Sequence, residues 1–209
     1  MGAVTTTSLP DTHASHQNDV VVLVSGSGTL LQAILDHQDE TYRVVKVIAD
    51  KDCPALARAE AAGVDKQVVA LADDRDAWNV DLADAVAAAA PDLVVSAGFM
   101  KILGAGFLDR YAGRTINTHP ALLPSFPGAH AVRDALAYGV KVTGSSVHFV
   151  DAGVDTGEII AQEAVTVHAG ETEESLHERI KQVERRLIVT VLRSARTDNT
   201  TGKVQFANE

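Results

Sequence analysis

Three stretches of the sequence gather residue types that can do chemistry. The first is Asn117-Thr-His119-Pro-Ala-Leu-Leu-Pro124. Side chains two apart on extended backbone point the same way, so Asn117 and His119 are expected to share one face. An amide donor beside an imidazole can hold an oxyanion while the imidazole manages a proton. Read alone, the same pair also fits plain hydrogen bonding at a strand end. The second stretch is Ser145-Ser146-Val-His148-Phe-Val-Asp151-Ala-Gly-Val-Asp155-Thr-Gly157, whose aspartates and glycines make a shaped turn. An aspartate near a histidine favours the charged imidazole and makes it a proton donor near neutrality. A polar turn in which Asp155 bonds its own backbone is the alternative, and His148, in mid-strand, reads as a packed, hydrogen-bonded residue. The third stretch, Val20 to Leu31, is an apolar run leading into Ser25-Gly-Ser-Gly28 and a helical pattern. Glycines there let the backbone turn sharply and present N–H groups at a helix N-terminus, which can hold a phosphate without a cation. The third glycine of a dinucleotide fingerprint is missing, because Leu31 stands in its place, and no P-loop lysine follows. A mononucleotide or sugar phosphate fits this turn better than a dinucleotide.

These segments need a scaffold, and the pattern supplies one. The β-branched runs Val20–Val24, Val44–Ala49, Leu93–Ala97 and Thr115–Thr118 are expected as strands, alternating with the helical stretches Leu30–Asp36, Pro54–Ala62, Ala77–Ala90 and Ala129–Tyr138. Val142–Val150 and Glu158–Val167 are two further strands, joined by a loop too long for a tight hairpin. Thr172 caps a last helix with Glu173 and Glu174 in its first turn. The expectation is a single α/β domain, Rossmann-like and doubly wound, with a mostly parallel sheet and antiparallel strands near its C-terminal end. It would span residues 19–193, between a flexible polar leader at 1–18 and a loose polar tail at 194–209.

Composition narrows the function classes. Of 209 residues, 28 are acidic and 18 basic, a net charge of −10. A surface so biased repels polyanions and argues against a nucleic-acid-coating function. The single cysteine, Cys53, cannot form an intramolecular disulfide, which fits a reducing cytoplasm. Nothing approaches the roughly 18 unbroken apolar residues of a membrane span, and the first residues lack a signal-peptide pattern.

Taken together, the motifs resemble the phosphoribosylglycinamide formyltransferases of purine biosynthesis. The matching pieces are Val22–Thr29, Ala97–Leu103, Ile116–Pro124 with Pro127-Gly128, and Gly144–Val150 through Asp155-Thr-Gly157. The resemblance implies transfer of a formyl group from 10-formyltetrahydrofolate to the amine of 5-phosphoribosylglycinamide, by direct attack through a tetrahedral intermediate, with no metal. By position it implies Asn117, His119 and Asp155 as the catalytic set. Gly28, Thr29, Leu30, Lys181 and Glu184 would hold the ribonucleotide. Arg75, Met100, Lys101, Ile102, Leu103, Asn117, Asp151 and Asp155 would border the folate. Small-molecule partners, no nucleic acid or membrane, and a possible homodimer go with it.

Three positions depart from the commoner family pattern: Leu30 stands where Asn is frequent, Lys101 where Arg is common and Thr29 for Ser. With Leu30, phosphate binding must rest on backbone groups. Relatives of the same core formylate initiator methionyl-tRNA or hydrolyse formyltetrahydrofolate, with a further domain after or before it. A last helix ending near Arg193 and a short leader are expected to leave room for neither. A non-catalytic nucleotide-binding module is the remaining alternative, and it gives Asn117, His119 and Asp155 nothing to do.

Overall fold

Seven strands form one sheet: β1 (Asn18–Val24), β2 (Tyr42–Ala49), β3 (Asp65–Val68), β4 (Leu93–Ser96), β5 (Thr115–His119), β6 (Val142–Phe149) and β7 (Ile159–Thr166). The structure, a computed structural model, describes residues 16–198 and 201–207. Helices α1 (Thr29–Asp36), α2 (Pro54–Ala61), α3 (Arg75–Ala87), α4 (Ala105–Tyr111), α5 (Ala131–Tyr138) and α6 (Glu173–Ser194) connect and cover the strands.

The strand order is β3-β2-β1-β4-β5-β6-β7. β1 to β5 run parallel, whereas β6 pairs antiparallel with both β5 and β7. This is the expected doubly wound, mostly parallel sheet with antiparallel strands near its C-terminal end. Alternation on β1 shows why both faces need helices. Val20, Val22 and Val24 enter one buried cluster with Leu31, Ile34, Ile188 and Leu192, while Val21 and Leu23 enter another with Trp78, Leu82 and Phe107. A strand buried on both sides reads as an unbroken apolar run. Ile180, Val183 and Leu176 of α6 build a third cluster with Val132 of α5 and Val165 of β7. α1 carries the chain from β1 outward to β2 on one face of the sheet, and α3 brings it back from β3 to β4 on the other, so the order reverses between β1 and β4. Open α/β sheets bind ligands at such a reversal, beyond the carboxyl ends of the strands.

Two elements escape the sequence pattern, β3 and α4. β3 is an all-exposed edge strand, Asp-Lys-Gln-Val, without apolar alternation. α4 is short and carries Gly106, a poor helix former. The tail also differs from a loose segment. β8 (Ala195–Thr197) and β9 (Val204–Phe206) form an antiparallel ribbon, with Ala195 and Val204 buried and Phe206 against Phe149 at 5.6 Å between ring centres. Residues 1–15 of the expected leader lie outside the described residues. Asn18 belongs to β1 itself. Its amide donates to Thr41 O and Ala195 O and its Oδ1 accepts from Thr197, which is how a polar residue comes to be 1% exposed.

Candidate active site

β5 delivers Asn117 and His119 two residues apart at its carboxyl end. Register with β6 places His148 opposite Asn117 and Ser146 opposite His119. The loop after β6 folds back so that Asp155 meets both histidines. Its Oδ2 lies 3.3 Å from His119 Nδ1 and accepts the Gly128 N–H at 2.7 Å, and its Oδ1 lies 3.6 Å from His148 Nε2. His148 Nε2 is 3.4 Å from the Asn117 amide, and its Nδ1 donates to Phe149 O at 2.8 Å. The structure thus brings the three expected residues together in one cluster, in which His148 links Asn117 to Asp155. Both histidines and Asp155 are nearly buried, which strengthens these contacts.

Asp155 is held as a carboxylate. The hydrogen bond from His148 lowers its pKa most, against the upward push of burial, and the Gly128 N–H and attraction to His119 and His148 add to it, bringing it down to about 2. Its backbone sits at φ 54, the left-handed region that Asp tolerates better than most residues. Gly157 permits the loop's return, since a Cβ there would overlap the Phe149 carbonyl oxygen. Neither ring nitrogen of His119 is idle, because Nε2 donates to Phe126 O at 2.8 Å while Nδ1 faces Asp155. A ring with two N–H groups satisfies both acceptors at once. Ser146 fixes the intervening loop by donating to Ala121 O and accepting from Leu123 N.

The glycine-rich turn ends β1. Gly28 stands at φ 71 as the N-cap of α1, and among the described residues no side chain caps the helix start, which leaves the first N–H groups of α1 for a ligand. α2 takes up the other side of the turn. Ala55 N donates to Gly26 O, Arg58 Nε donates to Ser27 O at 2.8 Å, and Arg58 also bonds Gln32 of α1. A Cβ at Gly28 would stand 2.7 Å from that of Ala55. With its carbonyls bonded to α2, the turn offers its amides to an anion. Thr29 is exposed, whereas the Leu30 side chain is 8% exposed in the core, so only its backbone can serve a ligand.

α6 faces this turn. Thr29, Gln32 and Asp36 of α1 border a cavity of about 680 Å³ with Gln182, Arg185 and Arg193 of α6. Lys181 is half-exposed and only 3.9 Å from Glu178, a loose pair that leaves its ammonium available. Glu184 reaches Thr118 of β5. Burial pushes its carboxyl up, against the Thr118 hydrogen bond and the charges of Lys181 and Arg185.

The remaining expected residues form two pieces. After β4, Met100 and Ile102 are 74% and 65% exposed, an apolar edge at the carboxyl end of the sheet. Arg75 stacks on Trp78 and donates to Ile102 O at 3.2 Å, bracing that edge. Leu103 is not on it, since its side chain packs in the core with Phe99 and Phe107. Lys101 does not project freely either and pairs with the buried Asp50 at 3.1 Å. The second piece is the loop after β6, where Asp151 spends its Oδ1 on Gly153 N and Thr156 Oγ1. Val150 packs against the cluster that holds Phe99 and Leu103, which links the two pieces. A cavity of about 810 Å³ lies behind this loop, against α4 and the C-terminal ribbon, and holds none of the three candidate catalytic residues.

Sequence reasoning missed His148 as a member of the cluster, together with Arg58 and Asp50. The His148 contact depends on cross-strand register, and the other two on contacts between distant segments. The signals in the sequence were Ser146 and His148 alternating toward one face and the aspartates that follow them.

Residues 18–192 match the formyl transferase family model. The chain is similar to phosphoribosylglycinamide formyltransferase of Mycobacterium tuberculosis, 57% identical over 186 residues that cover 87% of this chain and 86% of the relative. The Escherichia coli protein of that name is 38% identical, with 83% and 85% covered. Glycinamide ribonucleotide transformylase 1 from Symbiobacterium toebii superimposes with a TM-score of 0.84 at 41% identity, covering 92% of this chain and 95% of that one.

Proposed function

The chain belongs to the formyl transferase family, and from that premise we infer that it transfers the formyl group of 10-formyltetrahydrofolate to the amine of 5-phosphoribosylglycinamide in purine biosynthesis. The observation that carries this reading is the linked cluster of Asn117, His148, Asp155 and His119 at the end of β5, on the same edge of the sheet as a phosphate-ready turn after β1 and an exposed apolar edge after β4.

In the proposed mechanism the neutral glycinamide amine attacks the formyl carbon. A carbon–nitrogen bond forms and the carbonyl oxygen takes the negative charge. The Asn117 amide and a protonated His119 meet that oxygen, an anion being a stronger acceptor than the neutral Phe126 carbonyl that His119 otherwise serves. Asp155, facing Nδ1, orients the imidazole. Collapse breaks the bond to the folate nitrogen, and the proton lost by the amine reaches that nitrogen, through water that Asp155 helps to place. Atoms balance as formylated ribonucleotide plus tetrahydrofolate. Asn117 and Asp155 border both substrates here.

For the ribonucleotide we place the phosphate on the backbone N–H groups of Gly28, Thr29 and Leu30 and on Lys181, with Glu184 at the ribose. For the folate we place the ring against Met100 and Ile102, braced by Arg75 and bounded by the Asp151–Asp155 loop, with Lys101 and Leu103 shaping the edge from behind. Supporting this, Arg58 is bonded to the glycine turn and Arg75 to the apolar edge, in a protein of net charge −10. The transferring unit is taken as residues 19–193. The reading carries small-molecule partners rather than nucleic acid, and a cytoplasmic location. Among the described residues no helix is long and apolar enough to cross a membrane.

Lys181→Ala is expected to raise the ribonucleotide KM about tenfold while kcat falls far less, the pattern of lost binding shared by ground and transition states. Steady-state kinetics, with mass spectrometry of the acceptor for the added formyl group, checks both parts. An unchanged KM returns Lys181 to a solvated helix charge, and an unmodified acceptor rejects the reaction.

A further inference from the structure

The mechanism above gives no role to the buried Asp50, the partner of Lys101. Asp50 directly follows β2, its side chain is 2% exposed, and its Oδ2 lies 3.1 Å from Lys101 Nζ. A carboxylate so placed is tolerated only when partnered. Burial pushes the Asp50 carboxyl up, but the Ser25 hydroxyl and the Lys101 ammonium together outweigh it and hold it below its ordinary value. Ser25 directly follows β1, and its Oγ accepts the backbone N–H of Met100 at 2.9 Å. Two adjacent residues, Met100 and Lys101, are thus tied to the carboxyl ends of two neighbouring strands, one by main chain and one by side chain. The place is the reversal of strand order between β1 and β4. The apolar edge these ties support is exposed on both Met100 and Ile102. An edge held in its binding shape loses less conformational freedom when a ring lies on it.

We propose that Asp50 is a positioning residue for the formyl donor: through Lys101, and beside the Ser25–Met100 bond, it fixes the Met100–Ile102 edge without touching either substrate. This rests on the reading that the edge borders the folate. A strut of this kind acts on binding of one substrate. It leaves the chemistry at His119 and the phosphate turn largely alone.

The test is steady-state kinetics on the full chain for Asp50→Asn, Lys101→Gln, the double variant, Lys101→Arg and Ile102→Asp. Asp50→Asn is expected to raise the donor KM about tenfold, lower kcat no more than about threefold and leave the ribonucleotide KM in place. Lys101→Gln should do the same and Lys101→Arg should keep the parental value. The double variant should be no worse than the more affected single, because losing either partner removes the same strut. Ile102→Asp should raise the donor KM by direct contact. Multiplying effects in the double variant overturn the proposal, as does an unmoved donor KM in Asp50→Asn while Ile102→Asp raises it. An unmoved donor KM in Ile102→Asp overturns the reading of the edge, and the proposal with it. Should Asp50→Asn fail to fold by circular dichroism, Lys101→Gln against Lys101→Arg decides alone: a higher KM only in the first supports the strut, and equal values overturn it.

Discussion

Alanine at position 119 is expected to lower kcat at least about a hundredfold in a protein that still folds. His119 is the group that can both donate to a developing oxyanion and carry a proton. Loss of one preorganised donor typically costs about 10²–10³ in rate, and loss of a positioned acid or base about 10²–10⁴. Both effects come from one imidazole acting as a unit, so they are counted once. The substitution also strips the Phe126 carbonyl and Asp155 of a partner, which costs roughly 1–3 kcal/mol of stability. Urea unfolding separates that loss from the kinetic one. Near-normal kcat at saturating substrates would remove His119 from the mechanism.

Asp155→Asn is expected to reduce kcat by a similar factor of at least about a hundred. Asn keeps the size and tolerates the left-handed backbone at this position, so the loop stays in place. What disappears is the negative charge facing two imidazoles. The charge should also show in stability. The folded pKa of Asp155 lies at about 2, below its ordinary 3.8. A depressed carboxyl stabilises the fold fully above the unfolded value, and that contribution, roughly 2 kcal/mol, is lost as pH falls through about 4 toward about 2. The stability gap between parent and Asp155→Asn, measured by urea midpoints, should therefore be full at pH 6 and narrow below pH 4. Asp155 therefore stays a carboxylate from neutral pH down to mildly acidic pH. A gap that stays constant with pH, or parental kcat in the variant, contradicts this role.

Much of this was legible in the residues because it is local. β1, β2 and β4 are apolar on both faces and announce a covered parallel sheet, and the period of two along β5 places Asn117 beside His119. The glycine turn is visible for the same reason, since one segment holds the strand, the turn and the helix start. What stayed hidden depends on pairings between segments. His148 joins the cluster because β6 pairs antiparallel with β5 in one register, and a shift of one residue would turn its side chain to the other face. Arg58 reaches the turn from α2, and Asp50 reaches Lys101 across half the sheet. β3 carries no periodic signal because it buries none of its side chains. The C-terminal ribbon rests on the small buried Ala195 and a lone Val204, too little apolar character to read.

The central claim, that the site passes a formyl group between two small molecules and not to water, is tested most directly by acceptor dependence. Purified protein is mixed with 10-formyltetrahydrofolate, and tetrahydrofolate is followed with and without 5-phosphoribosylglycinamide. Tetrahydrofolate should form only when the ribonucleotide is present, one for each acceptor formylated. Equal turnover in its absence would contradict the account and make the protein a hydrolase.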